Sequence, residues 1–169
     1  MKIYLIGYMG SGKSRLGRQL SARLGYNFID LDDLFEERFK ISILDFFKKY
    51  REEDFRKVEQ ELLLETLNYN EIVISTGGGT PCFFDNMKLI KKNGISIYLK
   101  MDTGMLISRL KTVKKQRPLL KGKTNEELER FIRDQVAERE FYYNQADLIV
   151  QTAHLNVASV ISLLLGQVK

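Results

Sequence analysis

Short apolar runs alternate with longer stretches of helical periodicity along this chain of 169 residues. Five apolar runs predict β-strands: KIYLIG (2–7), YNFIDLD (26–32), EIVIST (71–76), ISIYLK (95–100) and DLIVQT (147–152). Helical spacing predicts a helix after the first run, with Leu16, Leu20 and Leu24 on one face, and a helical stretch that runs to about Tyr69, with Phe55, Val58 and Leu62 on one side. Further helices are predicted around 84–93 and 103–112. A long helix follows with Leu128, Phe131, Ile132 and Val136 on its buried face, and a last helix covers 156–166. Strands regularly separated by helices predict an α/β fold with a parallel sheet and right-handed crossovers.

Glycines and carboxylates cluster where three of the predicted strands end. Gly7 follows the first strand, Asp30 and Asp32 end the second, and the glycines of STGGGT (75–80) follow the third. Ligands of such sheets bind beyond the carboxyl ends of the strands. The sequence therefore predicts a binding site at this edge.

Composition and charge narrow the class of protein. A hydrophobic share of 44% and a charged share of 29% are typical of a soluble globular protein, and the chain length predicts one domain, 1–169. No apolar run is long enough for a membrane span. The apolar part of the start, MKIYLIGYMG, is too short for a signal-peptide core, so we expect a cytoplasmic protein with no membrane partner. The single cysteine excludes an internal disulfide.

The net charge of +5 is concentrated in RLKTVKKQRPLLKGK (109–123), which has seven basic residues and no acidic one. A nucleic-acid surface would add interleaved aromatics or a basic helical face, and this segment has neither, so we expect no nucleic-acid partner. A solvated basic loop is the simplest interpretation. A mobile basic lid over phosphates, about 112–124, fits the rest of the chain better.

The segment GYMGSGKS (7–14) matches the phosphate-loop pattern G-x-x-x-x-G-K-[ST], and it lies between a predicted strand and a predicted helix. Gly10, Ser11 and Gly12 are expected to wrap the phosphates of ATP with their backbone N–H groups. Lys13 is expected to reach the β- and γ-phosphates, and Ser14 to bind Mg²⁺. A GTPase would normally carry an Asn-Lys-x-Asp motif, which is missing, and the compact length favours a small-molecule kinase.

Four further segments follow the phosphate loop in order: DLD (30–32), FRKVE (55–59), STGGGT (75–80) and RPLL (117–120), with Arg139 in ERE after them. This ordered set resembles the shikimate kinase family over nearly the whole chain. The resemblance implies a three-layer, nucleoside-monophosphate-kinase-like P-loop fold with five parallel strands in the order 2-3-1-4-5. It also implies ATP-dependent transfer of a γ-phosphate to the 3-hydroxyl of shikimate, in chorismate and aromatic amino acid biosynthesis, by a monomer that uses Mg²⁺.

By this resemblance Asp32 binds the shikimate hydroxyls and is the candidate base; the alternative is a helix N-cap for a segment that starts at Asp33. Asp30 is expected to hold Mg²⁺ with Ser14, pointing to the same side of a strand as Asp32. Since phosphoryl transfer needs mainly positioning and charge neutralisation, Asp32 need not be a strong base.

Arg56 and Arg139 correspond to the two arginines that bind the shikimate carboxylate, which a guanidinium can grip in two-pronged fashion. Arg130 and Arg133 lie on the same predicted helix as Arg139 and compete for its role. Glu59 either orients Arg56 or forms an ordinary surface pair with it. Phe47 and Phe55 either line the pocket or belong to the core.

The remaining expectations concern backbone and lid. Gly77, Gly78 and Gly79 contact shikimate through backbone N–H groups, and side chains there would fill the acceptor's space. Arg117 of RPLL stabilises charge in the transition state, and lid closure excludes water. Gln151 is expected near adenine, with Arg109 and Thr152 beside it. Arg15, where the family mostly has threonine, contacts phosphate or faces solvent.

A second departure from the family lies before Phe55, where Arg51 replaces a glycine and leaves open the geometry of the helix that carries Arg56.

Three alternative functions stay open: a kinase of another small alcohol such as gluconate, a nucleoside monophosphate kinase, and a nucleotide-binding module without catalysis. The triple glycine with two arginines argues against the first. Asp32 would repel the phosphate acceptor of the second, and the complete set of catalytic groups argues against the third.

Overall fold

The computed structural model describes residues 1–113 and 122–167. The strands are β1 (Lys2–Ile6), β2 (Asn27–Asp30), β3 (Ile72–Ser75), β4 (Ile95–Lys100) and β5 (Leu148–Gln151). The α-helices are α1 (Lys13–Leu24), α2 (Leu31–Phe39), α3 (Ile43–Lys49), α4 (Glu52–Glu65), α5 (Asn86–Asn93), α6 (Thr103–Val113), α7 (Asn125–Tyr143) and α8 (Val157–Gln167). Part of the predicted lid, 114–121 with Arg117, lies outside the described residues.

The strands form one parallel sheet in the order β2-β3-β1-β4-β5, so the expected fold and strand order are confirmed. Side chains alternate across β1 between two cores. Tyr4 and Ile6 pack with residues of α2 to α7, whereas Ile3 and Leu5 pack with α1 and α8. This arrangement gives three layers, with the sheet buried between two layers of helices.

The register brings the carboxyl ends of the central strands together. Asp30 is the register partner of Ser75, and Leu5 of β1 is paired with the same serine. The phosphate loop therefore begins beside the end of β3 and the turn that follows it. This edge carries the candidate site.

The long helical stretch predicted after β2 is three helices rather than one. Lys40 adopts a left-handed backbone (φ 53°) and ends α2, while the Ser42 hydroxyl accepts a hydrogen bond from the Asp45 amide at 3.0 Å and begins α3. At the start of α4, the Asp54 carboxylate accepts from the Arg51 amide at 3.2 Å. Arg51 stands where the resemblance leads us to expect a glycine. Since its backbone is ordinary and extended (φ −80°), this replacement does not disturb α4.

Within residues 1–113 and 122–167, none of the helices combines the length and the apolar character that a membrane crossing requires.

Candidate active site

The phosphate loop connects β1 to α1 with the backbone shape that its motif predicts. Gly10 and Gly12 have φ angles of 80° and 96°, values that L side chains rarely adopt. Helix α1 begins at Lys13, directly after this turn, so the N–H groups of its first turn face the loop. The Ser11 hydroxyl oxygen is buried in the loop without a hydrogen-bond partner in the described structure. The loop has the form of an anion-binding cradle.

Lys13 folds back over this loop. Its ammonium group donates to the carbonyl oxygens of Gly7 at 2.8 Å and of Tyr8 at 2.9 Å, and the residue is buried. These bonds hold a positive charge in the lining of a cavity of about 190 Å³. The cavity is lined by Met9, Gly10, Gly12, Lys13, Ser14, Arg15, Asp30, Asp32, Ser75, Thr76 and Gly78. We refer to it as the phosphate pocket.

Asp30 joins the phosphate loop to α2. Its Oδ2 accepts a hydrogen bond from the Ser14 hydroxyl at 2.5 Å, and its Oδ1 accepts from the Asp32 amide at 3.0 Å. The second bond makes Asp30 the N-cap of α2. The prediction that Asp30 and Asp32 share one side of a strand is wrong, because β2 ends at Asp30 and α2 begins at Leu31. Asp32 lies in the first turn of that helix instead.

A larger cavity of about 380 Å³ adjoins the phosphate pocket. It is lined by Met9, Asp32, Asp33, Glu36, Ser42, Ile43, Leu44, Phe47, Phe55, Arg56, Glu59, Gly77, Gly78, Gly79 and Arg139. We call it the acceptor pocket. Met9, Asp32 and Gly78 line both cavities. A group bound in the acceptor pocket would therefore meet a phosphate chain beside the Asp32 carboxylate.

Arg56 is buried, with 5% of its surface exposed, and two carboxylates hold it. Nη1 donates to Glu59 Oε2 at 2.9 Å, while Nε and Nη2 donate to Glu52 Oε1 at 3.2 and 2.8 Å. Burial opposes the charged form, but the attraction of Glu59 and Glu52 and their hydrogen bonds raise the pKa of Arg56 above its ordinary value. Glu59 is only 3% exposed and also accepts from the Thr80 hydroxyl at 2.6 Å, so the surface-pair alternative for it is wrong.

Arg139 is the second arginine of the acceptor pocket, and it is 6% exposed. Its guanidinium lies over the Tyr8 ring, 5.5 Å from the ring centroid. Among the residues that the structure describes, no carboxylate forms an ion pair with Arg139. Arg130 and Arg133 are exposed and do not line the pocket, which leaves Arg139 as the arginine of α7 at this site.

The close packing of two side chains explains two of the three glycines. A Cβ atom at Gly79 would lie 2.5 Å from Arg56 Nη1 and 2.7 Å from Cζ, and one at Gly77 would collide with Glu59 Oε1. Neither glycine has a positive φ angle, so the requirement is for space rather than for an unusual backbone. The expectation that side chains here would invade the acceptor's space therefore needs correction. The atoms that they would meet first belong to the protein's own ion pair.

Gly78 lies between the two pockets, and its carbonyl oxygen accepts a hydrogen bond from the Tyr143 hydroxyl. Tyr143 is fully buried, and burial is the main reason why its pKa is raised. A neutral phenol donates to a carbonyl oxygen, and the Tyr143 phenol stays neutral over the physiological range. This bond ties the glycine turn to the end of α7.

Other predicted residues lie at the margin. Arg15 is exposed and lines the phosphate pocket, and exposed Arg109 donates to the Gly10 carbonyl at 3.3 Å. Gln151 is exposed at the end of β5, paired in register with Lys100, and lines neither pocket. Arg117 lies outside the described residues.

Sequence reasoning missed two residues that support the site, Glu52 and Tyr143. A spacing of four residues on one helix relates Glu52 to Arg56 and Tyr143 to Arg139, and residues so spaced share a helix face. This spacing could have indicated from the sequence that Glu52 and Tyr143 lie beside the two arginines.

Comparisons with known proteins agree over the length of the chain. The family model described as "Shikimate kinase" matches residues 9–169. The chain is 41% identical over 168 residues to a shikimate kinase of Azobacteroides pseudotrichonymphae, covering 99% of both proteins. It superposes on the crystal structure of a Bacteroides thetaiotaomicron shikimate kinase with a TM-score of 0.90, at 37% identity, over 99% of this chain and 98% of that one. An Acinetobacter baumannii shikimate kinase in complex with shikimate gives a TM-score of 0.88 at 30% identity, over 98% of this chain and 93% of that one.

Proposed function

This chain belongs to the shikimate kinase family, and we propose that it transfers the γ-phosphate of ATP to the 3-hydroxyl of shikimate where its two pockets join. The observation that carries this proposal is the position of Asp32, which lines both the phosphate pocket and the acceptor pocket. In the reaction a bond forms between the acceptor oxygen and the γ-phosphorus, and the bond from that phosphorus to the leaving oxygen of ADP breaks. A carboxylate at the junction is suited to orient the acceptor oxygen for this in-line displacement.

The phosphate pocket supplies the charge that the phosphates require. Lys13 is fixed by two carbonyl groups of the loop, so its ammonium is oriented before nucleotide arrives. Ser14 and Asp30 present oxygen atoms 2.5 Å apart, and oxygen is the donor that Mg²⁺ prefers. These two residues would hold Mg²⁺, which neutralises charge on the β- and γ-phosphates when it is bound.

On the acceptor side, Asp32 accepts a hydrogen bond from the 3-hydroxyl and is the group placed to take its proton. Backbone N–H groups of the turn at Gly77, Gly78 and Gly79 contact the shikimate ring substituents. The carboxylate of shikimate binds between Arg56 and Arg139, which both line the pocket. Arg139 provides the net positive charge here because, in the described structure, no carboxylate pairs with it, whereas Arg56 faces both Glu52 and Glu59.

The role that we propose for the lid rests on the family resemblance. Arg117 of the RPLL segment would lie over the phosphates in the closed enzyme and stabilise charge in the transition state. Closure would exclude water, which otherwise competes with shikimate as the acceptor.

A coupled ADP-release assay tests the function directly. Purified protein with ATP and Mg²⁺ is offered shikimate, quinate, gluconate and nucleoside monophosphates in turn, and we expect shikimate to give the highest kcat/KM. Faster turnover of gluconate or of a nucleotide, or no shikimate-dependent ADP release, would overturn the proposal.

Substitution of Asp32 tests the mechanism. Asp32→Asn should lower kcat at least about 100-fold, since it removes the proton acceptor, while ATP affinity measured by fluorescent-nucleotide titration stays within about twofold. Asp134→Asn, an exposed site on α7, is the matched control and should leave kcat unchanged. Near-normal turnover in Asp32→Asn would remove this residue from its catalytic role.

A further inference from the structure

Glu52 stands one helical turn before Arg56 on α4 and grips one edge of its guanidinium. A single oxygen, Oε1, accepts from both Nε at 3.2 Å and Nη2 at 2.8 Å. The Glu52 side chain is 52% exposed, whereas Glu59, which holds Nη1 on the inner side, is 4% exposed. Glu52 therefore holds Arg56 from the solvent side, and Glu59 holds it from the core.

The faces of the same guanidinium are also restricted. The Phe83 ring lies over Arg56 with its centroid 4.2 Å from Cζ, and the Gly79 backbone approaches so closely that even a Cβ atom there would collide. Of the five N–H donors of Arg56, the bonds to Glu52 and Glu59 use three. Within the described structure, this leaves two donors for a ligand, on a group whose plane is fixed by its surroundings.

Two opposite consequences can follow from the charge of Glu52. The negative charge repels a substrate carboxylate, so its removal would tighten substrate binding. The hydrogen bonds restrict a long, flexible side chain, so their removal would weaken binding, because an Arg56 that rotates among several conformers must be ordered again by the substrate. Since Glu52 is half exposed, water screens its charge strongly, but the hydrogen bonds act at contact distance.

We propose that Glu52 is a positioning residue for the substrate carboxylate, acting through Arg56. The inference rests on the proposed function, in which Arg56 binds the carboxylate of shikimate. Glu52 holds the guanidinium edge so that the two remaining N–H donors face the acceptor pocket before shikimate enters. It contributes to shikimate affinity, and it has no part in ATP binding or in the transfer step.

Three variants separate this role from the alternatives. Glu52→Ala removes both hydrogen bonds, and Glu52→Gln keeps an oxygen acceptor but removes the charge. Glu53→Ala is the matched control, because Glu53 is the next residue in the same helical turn and its side chain is 77% exposed. Initial rates are measured with shikimate and ATP varied separately, and thermal unfolding is recorded for each variant.

We expect Glu52→Ala to raise the KM for shikimate about tenfold, the loss expected for weakened charge-assisted bonds, with kcat and the KM for ATP within about twofold of wild type. Glu52→Gln should stay within about threefold of the wild-type KM, and Glu53→Ala should be unchanged. An unchanged KM in Glu52→Ala, a lowered KM in both Glu52 variants, or a kcat loss equal to the KM change would each overturn the proposal.

A double-mutant cycle provides a readout that a general effect on stability would not produce. In an Arg56→Ala background, Glu52→Ala should no longer change the KM for shikimate, because the group through which it acts is absent. A further tenfold loss in that background would overturn the proposal. Wild-type turnover keeps the two hypotheses distinct: if wild type does not phosphorylate shikimate, the proposed function fails, whereas an active wild type with an insensitive Glu52 refutes only this inference.

Discussion

Replacement of Gly79 by alanine isolates the steric reason for the glycine-rich turn. Gly79 has φ −92° and ψ −19°, a conformation that alanine adopts without strain. Any penalty must therefore come from the added methyl group. The nearest atoms to that methyl would be Nη1, Cζ and Nη2 of Arg56, at 2.5, 2.7 and 2.8 Å.

The size of the effect follows from these distances. Ordinary contact between such atoms begins at about 3.5 Å, so the guanidinium or the turn must move by about 1 Å. A shift of that size would lengthen the 2.9 Å bond to Glu59 and the 2.8 Å bond to Glu52 beyond hydrogen-bonding range. Overpacking in a core costs about 1–3 kcal/mol, and the lower entropy of alanine in the unfolded chain offsets about 0.5 kcal/mol of this. We expect a net loss of about 1.5 kcal/mol in the free energy of unfolding.

Calorimetry and steady-state kinetics test this expectation together. For a chain of this size, about 1.5 kcal/mol corresponds to a Tm lower by about 3–6 °C. The KM for shikimate should rise at least about tenfold, because displaced Arg56 donors would no longer meet the carboxylate that the proposed function assigns to them, while the KM for ATP stays within about twofold.

Gly166→Ala is the control, since a Cβ atom there meets nothing within 4 Å and the site is an exposed helix position. This control should be as stable as wild type or slightly more stable. A Gly79→Ala protein with wild-type Tm and KM would refute the steric account of the turn.

Three further substitutions or treatments probe the supports of the site. Tyr143→Phe removes the buried donor to the Gly78 carbonyl, so urea unfolding should give a stability lower by about 1–3 kcal/mol; equal stability would contradict the role of this bond. Asp30→Ala removes the N-cap of α2 and the partner of Ser14, so stability should fall by about 1 kcal/mol and more Mg²⁺ should be needed for half-maximal activity. Asp30→Asn, which keeps a capping oxygen, should lose less stability, and a loss equal to that of alanine would argue against the cap. Burial raises the pKa of the Cys82 thiol to about 12, so at pH 8 iodoacetamide should alkylate it about a thousandfold more slowly than free cysteine. Because only the thiolate reacts, the rate should rise with pH between 7 and 10, and fast labelling at pH 8 would contradict the prediction.

Local patterns were sufficient to predict the sheet and the phosphate loop. Continuous burial along β1 follows from its run of apolar residues, which fills one core on each face of the sheet. The phosphate loop could be predicted because its glycines and Lys13 act through neighbouring backbone, so the motif itself contains the geometry. The strand order required the family resemblance, since hydrophobic periodicity does not specify which strands are neighbours.

Capping signals were present in the sequence but outweighed by longer patterns. The short apolar run YNFIDLD suggested a strand to residue 32, although Asp30 is a preferred N-cap residue and caps α2, which begins at Leu31. Ser42 and Asp45 form a similar local signal, an N-cap that begins the separate helix α3 within the stretch predicted as one long helix. These breaks matter for function, because the short helices α2 and α3 supply one wall of the acceptor pocket.

The contacts around the glycine turn could not be predicted from local patterns, because they join segments distant in the chain. Gly79 needs no unusual backbone angle, so nothing in its neighbours indicates why a side chain is excluded. The reason is Arg56, which α4 brings against the turn. Similarly, the periodicity of α7 places Tyr143 in the core but does not indicate that its hydroxyl reaches the Gly78 carbonyl.

The two arginines of the acceptor pocket solve different physical problems. Arg56 lies between Glu52 and Glu59, so its immediate surroundings carry one positive and two negative charges, and it offers directed donors rather than net attraction. Arg139 is equally buried, yet within the described ranges no carboxylate pairs with it. A buried cation without a counter-ion is costly, and an incoming carboxylate removes that cost. In the proposed function, the acceptor carboxylate would therefore be attracted mainly by Arg139 and oriented mainly by Arg56, the one of the two that is paired with carboxylates in the described structure.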